Sequence, residues 1–284
     1  MINKGIIGIN KPIGWTSFDV VNKLKSKFKP NKVGHLGTLD PIATGVLLVT
    51  VGKATRLFDL AQQKDKTYIA KFEFGYSTDT LDTTGKKIST SSTIPTKEQI
   101  QNCLSKLTGE IMQVPPKYSA KSVNGVRAYD LARNGIEFEL KAKKVKIYEL
   151  TIVDYTAPVL ELKIKCSSGT YIRSICRDLA DLLNANACMT GLIRTNIGNI
   201  GLERCMSIEE VTNCKEFEPF MIPLEDVIRI ESLNLEENLT SKILNGQSVN
   251  IDKSDGNYFL KRGNDYLAVV NVKNFIGKMT IYLE

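Results

Sequence analysis

The hydrophobic and polar positions of the chain follow two different periods, which predicts a mixed α and β protein. Strand-like stretches are either continuous apolar runs or alternate at every second position. Val46–Val51 is a continuous run between two glycines, which is typical of a strand covered on both faces. The strands predicted in the first 228 residues are Gly5–Ile9, Val46–Val51, Tyr68–Phe74, Val145–Val153 and Val159–Cys166.

Helical stretches carry apolar residues three and four positions apart and begin at recognisable capping residues. Capping boxes at Thr96/Gln99 and Ser207/Glu210 predict two helix starts. A third helix is predicted from Thr16 to before Pro30, and its core-facing residues are Phe18, Val21, Leu24 and Phe28. A fourth is predicted over Val126–Asn134, with Gly135 as its cap. A fifth is predicted over Tyr171–Leu183, and its core-facing residues are Ile172, Ile175, Leu179 and Leu182.

The texture of the sequence changes after Pro223. Short apolar stretches there are separated by polar turns such as Asp255–Asn257 and Arg262–Asp265, a pattern that favours strands. We therefore expect a small β-rich appendage over Arg229–Glu284 and two domains, residues 1–228 and 229–284.

Composition excludes several classes of protein. Apolar residues make up 42% and charged residues 24% of the chain, which excludes a wholly disordered protein. No apolar run approaches the roughly 20 residues that a membrane-spanning helix needs. The glycine-broken segment Met1–Asn10 does not resemble a signal peptide. We expect a soluble, cytoplasmic protein without membrane attachment.

The rare residues restrict the available chemistry. The six cysteines include no C-x-x-C pair, and His35 is the single histidine. A Cys/His zinc site needs closely spaced ligands, which this sequence lacks. We expect free cysteines rather than a disulfide framework, and any histidine-dependent mechanism has to use His35.

Charge is distributed unevenly within a net charge of +7. Residues 1–204 hold 30 basic and 18 acidic side chains, whereas residues 205–284 hold 8 and 13. A basic body attracts polyanions such as nucleic acid. The same lysines are also compatible with a solvated surface that binds nothing, so charge alone leaves both interpretations open.

The most unusual segment is Gly34–Leu47, which leads directly into the strand predicted at Val46–Val51. The three glycines within it, Gly34, Gly37 and Gly45, allow tight turns and close approach to a ligand. Asp40 is its only acid and His35 its only other titratable group. Two interpretations remain open: Asp40 is a reactive carboxylate, or Asp40 and Pro41 are the N-cap and first residue of a helical turn.

Residues 34–45 read GHLGTLDPIATG and resemble the catalytic-loop signature G-H-x-G-x-L-D-P-x-A-T-G of the TruB family, the bacterial tRNA pseudouridine-55 synthases. Other pseudouridine synthase families carry their aspartate in different surroundings. The resemblance runs from about Gly5 to Arg204. Further blocks of the family occur in the expected order, at Asn10–Ser17, Lys66–Tyr68 with Gly75–Thr80, Gln113–Ala120 with Gly125, Cys166–Ser174 and Gly191–Arg194.

The resemblance implies an α+β fold, with a mixed, mainly antiparallel sheet flanked by helices and a small PUA-like C-terminal domain. It also implies an isomerase that converts uridine 55 of the tRNA T-loop to its C-glycoside. In that reaction the N1–C1′ bond breaks, the base turns while bound, and C5 bonds to C1′. The family uses neither a metal nor a cofactor.

By resemblance, the catalytic residues are Asp40, Tyr68 and Arg173. Asp40 corresponds to the nucleophile or electrostatic partner of the sugar, and attack on C1′, addition to C6 and stabilisation of a glycal-like intermediate all stay open. Burial favours the neutral form of a carboxyl group, so a neighbouring cation is needed. Arg173 matches the family's arginine in that position. Tyr68 matches the tyrosine that stacks on the flipped base and takes part in removing the C5 proton.

Five further positions correspond to substrate-binding or supporting residues of the family. His35 matches the histidine that contacts RNA where the base leaves the stack. Tyr171 and Leu192 match residues that close the pocket by hydrogen bonding and apolar contact. Lys11 and Pro12 match a motif that we expect to support the Tyr68 side of the pocket from beneath.

The resemblance predicts the T-arm of tRNA as partner, with no guide RNA, no required protein partner, and a monomeric enzyme. The guide-RNA-dependent pseudouridine synthases share the catalytic blocks but carry longer extensions and a fuller PUA module. A tRNA-folding chaperone is a further alternative. The appendage is acidic and short, so we assign the RNA grip mainly to the basic body.

Overall fold

A computed structural model describes residues 4–29, 32–62, 64–215 and 220–284 of the 284-residue chain. Pro30, the predicted stop of the first helix, and Met1–Asn3 lie outside the described residues. The strands, in chain order, are β1 (Lys4–Lys11), β2 (Val33–His35), β3 (Ala43–Gly52), β4 (Lys66–Phe74), β5 (Tyr76–Thr78), β6 (Lys87–Thr90), β7 (Gly109–Gln113), β8 (Ser122–Val123), β9 (Val126–Arg127), β10 (Lys143–Thr156), β11 (Val159–Cys166), β12 (Ala187–Ile197), β13 (Ile200–Gly201), β14 (Met221–Ile222), β15 (Ser232–Asn234), β16 (Val249–Asn250), β17 (Gly256–Arg262), β18 (Asp265–Lys273) and β19 (Ile276–Tyr282).

Eight α-helices and three short 3₁₀ helices are present among the described residues. No helix in these ranges has both the length and the apolar character that crossing a membrane requires. The α-helices are α1 (Ser17–Phe28), α2 (Phe58–Gln62), α3 (Lys97–Leu104), α4 (Ala128–Arg133), α5 (Ile172–Leu182), α6 (Ile208–Asn213), α7 (Leu224–Ile228) and α8 (Glu237–Leu244), and the 3₁₀ helices are Lys53–Leu57, Ser105–Leu107 and Leu202–Arg204.

Ten strands form one mixed sheet in the order β14-β1-β3-β12-β4-β11-β10-β7, with β2 paired to β3 and β13 to β12. All pairs are antiparallel except β3 and β12, which run parallel. This exception places Leu192 beside Ala43, at the point where the Gly34–Leu47 segment enters the sheet. The α+β class with a mainly antiparallel sheet is therefore confirmed.

The two faces of this sheet belong to different apolar clusters, because neighbouring residues of a strand point to opposite faces. Leu47 and Val49 of β3 pack with α1, α3 and α5 on one face. Val46 and Leu48 pack on the other face with α7 and part of the C-terminal sheet. The prediction that Val46–Val51 is a strand covered on both sides is confirmed.

The C-terminal region forms a second sheet of five strands in the order β15-β17-β18-β19-β16. It has a core of its own, which includes Ile243 of α8 and Leu260 of β17. The β-rich appendage is confirmed, although helix α8 within it was not predicted. The boundary between residues 228 and 229 stays a prediction.

Three details of the helix predictions are wrong. Phe18 is 64% exposed because the buried face of α1 passes through Ser17, Val20, Val21 and Leu24. Leu182, expected inward, is 38% exposed at the last residue of α5. Val126 belongs to a hairpin rather than a helix, since Asn124 and Gly125 have positive φ and form the tight turn that Asn-Gly favours. The capping boxes at Thr96 and Ser207 are both present.

Candidate active site

Asp40 lies in the loop between β2 and β3, and backbone hydrogen bonds fix the shape of this loop. The Ala43 amide donates to the Asp40 carbonyl at 3.0 Å, which closes a turn over Pro41 before β3 begins. The turn that starts at Asp40 is not continued into a helix, because the chain enters strand β3 at Ala43. The Leu39 amide donates to Ser17 Oγ at 2.8 Å, so the loop is tied to the first residue of α1.

The carboxylate of Asp40 meets Arg173, which projects from the first turn of α5. Arg173 Nη2 donates to Asp40 Oδ1 at 2.9 Å, and its side chain is 7% exposed against 31% for Asp40. The same guanidinium lies 3.6 Å from Asp82 Oδ2 and donates to the carbonyl oxygens of Thr80 and Tyr118. Asp40 is therefore the accessible member of a buried group in which one arginine serves two carboxylates.

Burial and charge act in opposite directions on Asp40. Burial of the group raises the pKa of Asp40, and the negative charge of Asp82 raises it further. The positive charges of Arg173 and Lys11 lower this pKa. Arg173 thus favours the ionised form that a nucleophile or electrostatic partner requires.

Tyr68 and Leu192 lie on the neighbouring strands β4 and β12, and both are buried in the cluster that also contains Leu39. Burial raises the pKa of Tyr68, whereas the positive charge of Arg194 lowers it. Tyr68 is paired across the two strands with Arg194. The structure therefore brings Tyr68, Leu192 and the Asp40 loop to one region of the sheet.

Tyr171 is the N-cap of α5, two residues before Arg173. Its backbone is held on both sides by buried Gln113, which accepts from the Tyr171 amide at 2.8 Å and donates to the Tyr171 carbonyl at 3.2 Å. Burial raises the pKa of the Tyr171 hydroxyl. Gln113 thereby fixes where α5 begins and where Tyr171 and Arg173 leave it.

His35 occupies the last position of β2, directly before the Asp40 loop, and is partly buried. Burial lowers the pKa of His35, and the charge of Arg194 lowers it further, so the imidazole is neutral at neutral pH. A neutral imidazole both donates and accepts hydrogen bonds.

Lys11 is fully buried, and its amino group donates to the carbonyls of Pro12 at 2.8 Å and Trp15 at 2.6 Å. Burial lowers the pKa of Lys11 to about 8. The turn that it braces meets the Asp40 loop where the Gly14 amide donates to the Pro41 carbonyl at 2.8 Å. These contacts place Lys11 and Pro12 behind the Asp40 loop, and their support of Tyr68 stays a prediction.

Sequence reasoning missed Asp82, Arg194 and Gln113. Arg194 is 1% exposed and donates to three carbonyl oxygens, those of Val46 at 2.7 Å, Thr38 at 3.2 Å and Gly37 at 3.1 Å. Arg194 and Gln113 lie inside motifs that the sequence analysis quoted, but only the motif itself marked them. Asp82 lies in a Thr- and Gly-rich turn that carried no signal of burial. Within the described residues, no cluster of three or more His, Cys, Asp and Glu side chains could hold a metal ion.

Comparison with known proteins identifies relatives over nearly the whole chain. Residues 25–172 match the TruB family pseudouridylate synthase (N terminal domain). A protein of Clostridium tetani named tRNA pseudouridine synthase B is 38% identical over 279 residues, covering 96% of this chain and 94% of that protein. A protein of the same name from Fusobacterium nucleatum is 41% identical over 276 residues, covering 95% and 96%.

Solved structures with a similar fold belong to H/ACA assemblies. A chain of an H/ACA RNP bound to a substrate RNA containing 2′-deoxyuridine aligns with a TM-score of 0.74 at 18% identity, covering 99% of this chain and 85% of that one. A chain of the archaeal box H/ACA sRNP Nop10-Cbf5 complex gives 0.73 at 19% identity, covering 100% and 87%. At these identities the likeness concerns the fold.

Proposed function

The chain belongs to the TruB family of pseudouridylate synthases, and we propose that it isomerises one uridine of tRNA, uridine 55 of the T-loop, to pseudouridine. The observation that carries the proposal is the 2.9 Å pair of Asp40 and Arg173, formed at the end of the sheet where Tyr68 and Leu192 are buried. The reaction breaks N1–C1′, forms C5–C1′, releases the C5 proton and leaves N1 protonated, with no net redox change.

We assign to Asp40 the role of acting on the sugar of the target uridine. Its partial exposure lets a ribose reach the carboxylate, while Arg173 orients it through one charged hydrogen bond from Nη2 and favours its charge. An ionised carboxylate serves attack on C1′, addition to C6 and stabilisation of an oxocarbenium-like glycal precursor alike. The geometry thus supports Asp40 in this role and favours none of the three intermediates.

The target base has to leave its stack before it reaches Asp40, at a cost of a few kcal/mol. We assign the bound base to the Tyr68 and Leu192 surface, where stacking contributes about 1–3 kcal/mol per base. Neutral His35 stands at the entrance of the loop, and Tyr171 lies beside Arg173. We assign removal of the C5 proton to Tyr68, which accepts it as the phenolate. Burial opposes this ionisation by raising the pKa of Tyr68, and the positive charge of Arg194 favours it by lowering the pKa.

We further propose that the enzyme acts alone on the T-arm, as a monomer in the cytoplasm. Its relatives of similar length carry the name tRNA pseudouridine synthase B and cover almost all of this chain. The chains of the H/ACA assemblies share the fold at 18–19% identity, which gives no support for a guide RNA here. The excess of basic residues before residue 205 supports RNA binding by the larger body.

The test is to incubate purified protein with unmodified tRNA and to map pseudouridine by carbodiimide treatment or mass spectrometry. We expect one site at uridine 55 and a fall of about 10⁴-fold or more in rate for Asp40→Asn, with tRNA binding retained. Normal turnover by Asp40→Asn contradicts the assignment of the chemistry. Activity on an isolated T-arm hairpin excludes a guide requirement, and full rescue of a deletion strain by Asp40→Asn favours a chaperone.

A further inference from the structure

Among the described residues 4–29, the two most exposed large apolar side chains lie next to the catalytic loop. Ile13 is 68% and Phe18 64% exposed. Ile13 belongs to the turn whose Gly14 amide donates to the Pro41 carbonyl, and Phe18 follows Ser17, whose hydroxyl accepts from the Leu39 amide. Neither side chain contributes to the core, so their position at the rim of the Asp40 loop calls for another explanation.

Phe18 begins a stripe along α1. Positions 18, 22 and 25 recur at helical spacing, so Phe18, Asn22 and Lys25 share one side of the helix over about 10 Å. Lys29 follows as the C-cap of α1, where a positive φ ends the helix. All four are exposed. Within the described ranges, Lys25 and Lys29 form no ion pair. The only acid of the helix, Asp19, lies on another side and is occupied by the Thr16 cap at 2.8 Å. The stripe therefore offers an aromatic face, an amide and two free cations in sequence.

We propose that this stripe, Phe18, Asn22, Lys25 and Lys29 with Ile13 at its catalytic end, binds the substrate RNA strand that flanks the flipped nucleotide. The inference rests on the proposed function. A uridine at Asp40 remains covalently joined to its neighbours, so the strand has to leave the pocket across the rim. An exposed phenyl ring there is suited to stack on an unpaired base, and lysines farther along match the phosphates.

The opposite flank of α1 supplies a matched control. Lys23 and Lys27 lie there, where they line a shallow hollow with Ser26 and Thr212 of α6. Replacing both of them removes the same charge from the same helix as replacing Lys25 and Lys29. Only the second pair continues from Phe18.

The experiment measures Kd for a T-arm hairpin by fluorescence anisotropy at several salt concentrations, and steady-state isomerisation of tRNA, with full-length protein. We expect Phe18→Ala to raise Kd and KM about tenfold, with kcat changed less than about twofold. Phe18→Tyr should keep the Kd of the unaltered protein, whereas Phe18→Leu should raise it, because only tyrosine keeps a flat ring. Since Phe18 is exposed, equal thermal stability of these variants serves as the folding check.

Lys25→Gln with Lys29→Gln should weaken binding about tenfold and reduce the slope of log Kd against log salt by about 1.5. Lys23→Gln with Lys27→Gln should weaken it less than about threefold. Unchanged Kd for Phe18→Ala, or equal loss for the two lysine pairs, overturns the stripe. Failure of the unaltered protein to isomerise tRNA is a different result and contradicts the proposed function instead.

Discussion

Two buried arginines hold the Asp40 loop, and they use different chemistry. Arg173, from helix α5, binds the side-chain carboxylate of Asp40 and lies close to that of Asp82. Arg194, from strand β12, binds three backbone carbonyls, two of them in the loop itself. One arginine therefore acts on the charge of the loop and the other on its position.

The difference extends to the surroundings of each arginine. The charge of Arg173 is offset by two carboxylates. Arg194 has no ion pair among the residues described, so its charge acts on its neighbours. It lowers the pKa of His35 and of Lys66, and it opposes the effect of burial on Tyr68. Because Arg194 is held by neutral carbonyl oxygens, it fixes the position of the loop and also raises the local positive potential.

The largest expected effect comes from removing the charge partner. Arg173→Met leaves buried Asp82 without its cation, which costs about 3–5 kcal/mol of unfolding free energy. It also raises the pKa of Asp40 and frees its carboxylate to rotate, so isomerisation should fall about 10³-fold. Urea unfolding and single-turnover kinetics measure the two effects.

Arg177→Met is the matched control for this change. Arg177 lies one turn further along α5 and pairs with Asp178 at 2.6 Å, but Arg177 is more exposed than Arg173 and Asp178 is more exposed than Asp82. Its loss should cost less than about 1 kcal/mol. Equal destabilisation by the two substitutions contradicts a special role for the Arg173 group.

Removing the position-setting arginine should have a smaller effect on the reaction. Arg194→Met releases the carbonyls of Gly37 and Thr38, and displacement of a reacting group by about 1 Å lowers rates about 10²-fold. Because the Asp40–Arg173 pair remains, we expect the loss in kcat, at saturating tRNA, rather than in Kd. A kcat equal to that of the unaltered protein, in a variant with unchanged near-ultraviolet circular dichroism, refutes this role.

The two arginines also show what the sequence could and could not predict. Asp40 and Arg173 stand 133 positions apart, and only the resemblance to a family joined them before the fold was known. Arg194 binds backbone carbonyls, which every residue carries, so no side-chain pattern marks its partners. Gly45 belongs to the same arrangement, since a Cβ there would lie 2.2 Å from the Arg194 carbonyl oxygen.

The fold could be predicted where the apolar pattern of a segment was regular and matched the faces that the surrounding elements cover. The strand Val46–Val51 is an example, because its apolar run reflects cover on both faces. Strand β12 was not predicted, since its apolar residues do not alternate regularly and Gly191 interrupts them. Phe18 was placed in the core because spacing alone does not locate the edge of a helix's buried face. The structure decides this edge, and the exposed ring carries the inference of an RNA contact.

The acid limb of the pH profile should separate the two arginines by a smaller, directional effect. If Asp40 acts as a carboxylate, kcat/KM is lost as the pH falls through its pKa, which burial raises above the usual 3.8. Arg173→Gln removes a cation that lowers this pKa, so the limb should move to higher pH. Arg194→Gln should leave it nearly in place, and Asp82→Asn should move it to lower pH. If the acid limb stays at the same pH in the Arg173→Gln and Asp82→Asn variants, it does not report the titration of Asp40.

The smallest expected effect concerns Lys66, whose amino group donates to the Lys64 carbonyl at 2.8 Å. Burial, and then the charge of Arg194, lower the pKa of Lys66 from 10.5 to about 8. Between these pH values the unfolded chain holds more protons at this site than the folded one, so unfolding free energy rises with pH. Lys66→Met should reduce that rise in urea unfolding between pH 8 and 10, with the remainder due to Lys11, whose pKa burial also lowers to about 8. Lys71→Met, exposed on the same strand, should keep the full rise. In an Arg194→Met background, the pH range over which Lys66 makes the unfolding free energy rise should narrow, because the pKa of Lys66 returns toward 10.5. In an Arg173→Met background, this pH range should be unchanged. If the pH dependence of unfolding is identical in both backgrounds, the charge of Arg194 does not lower the pKa of Lys66.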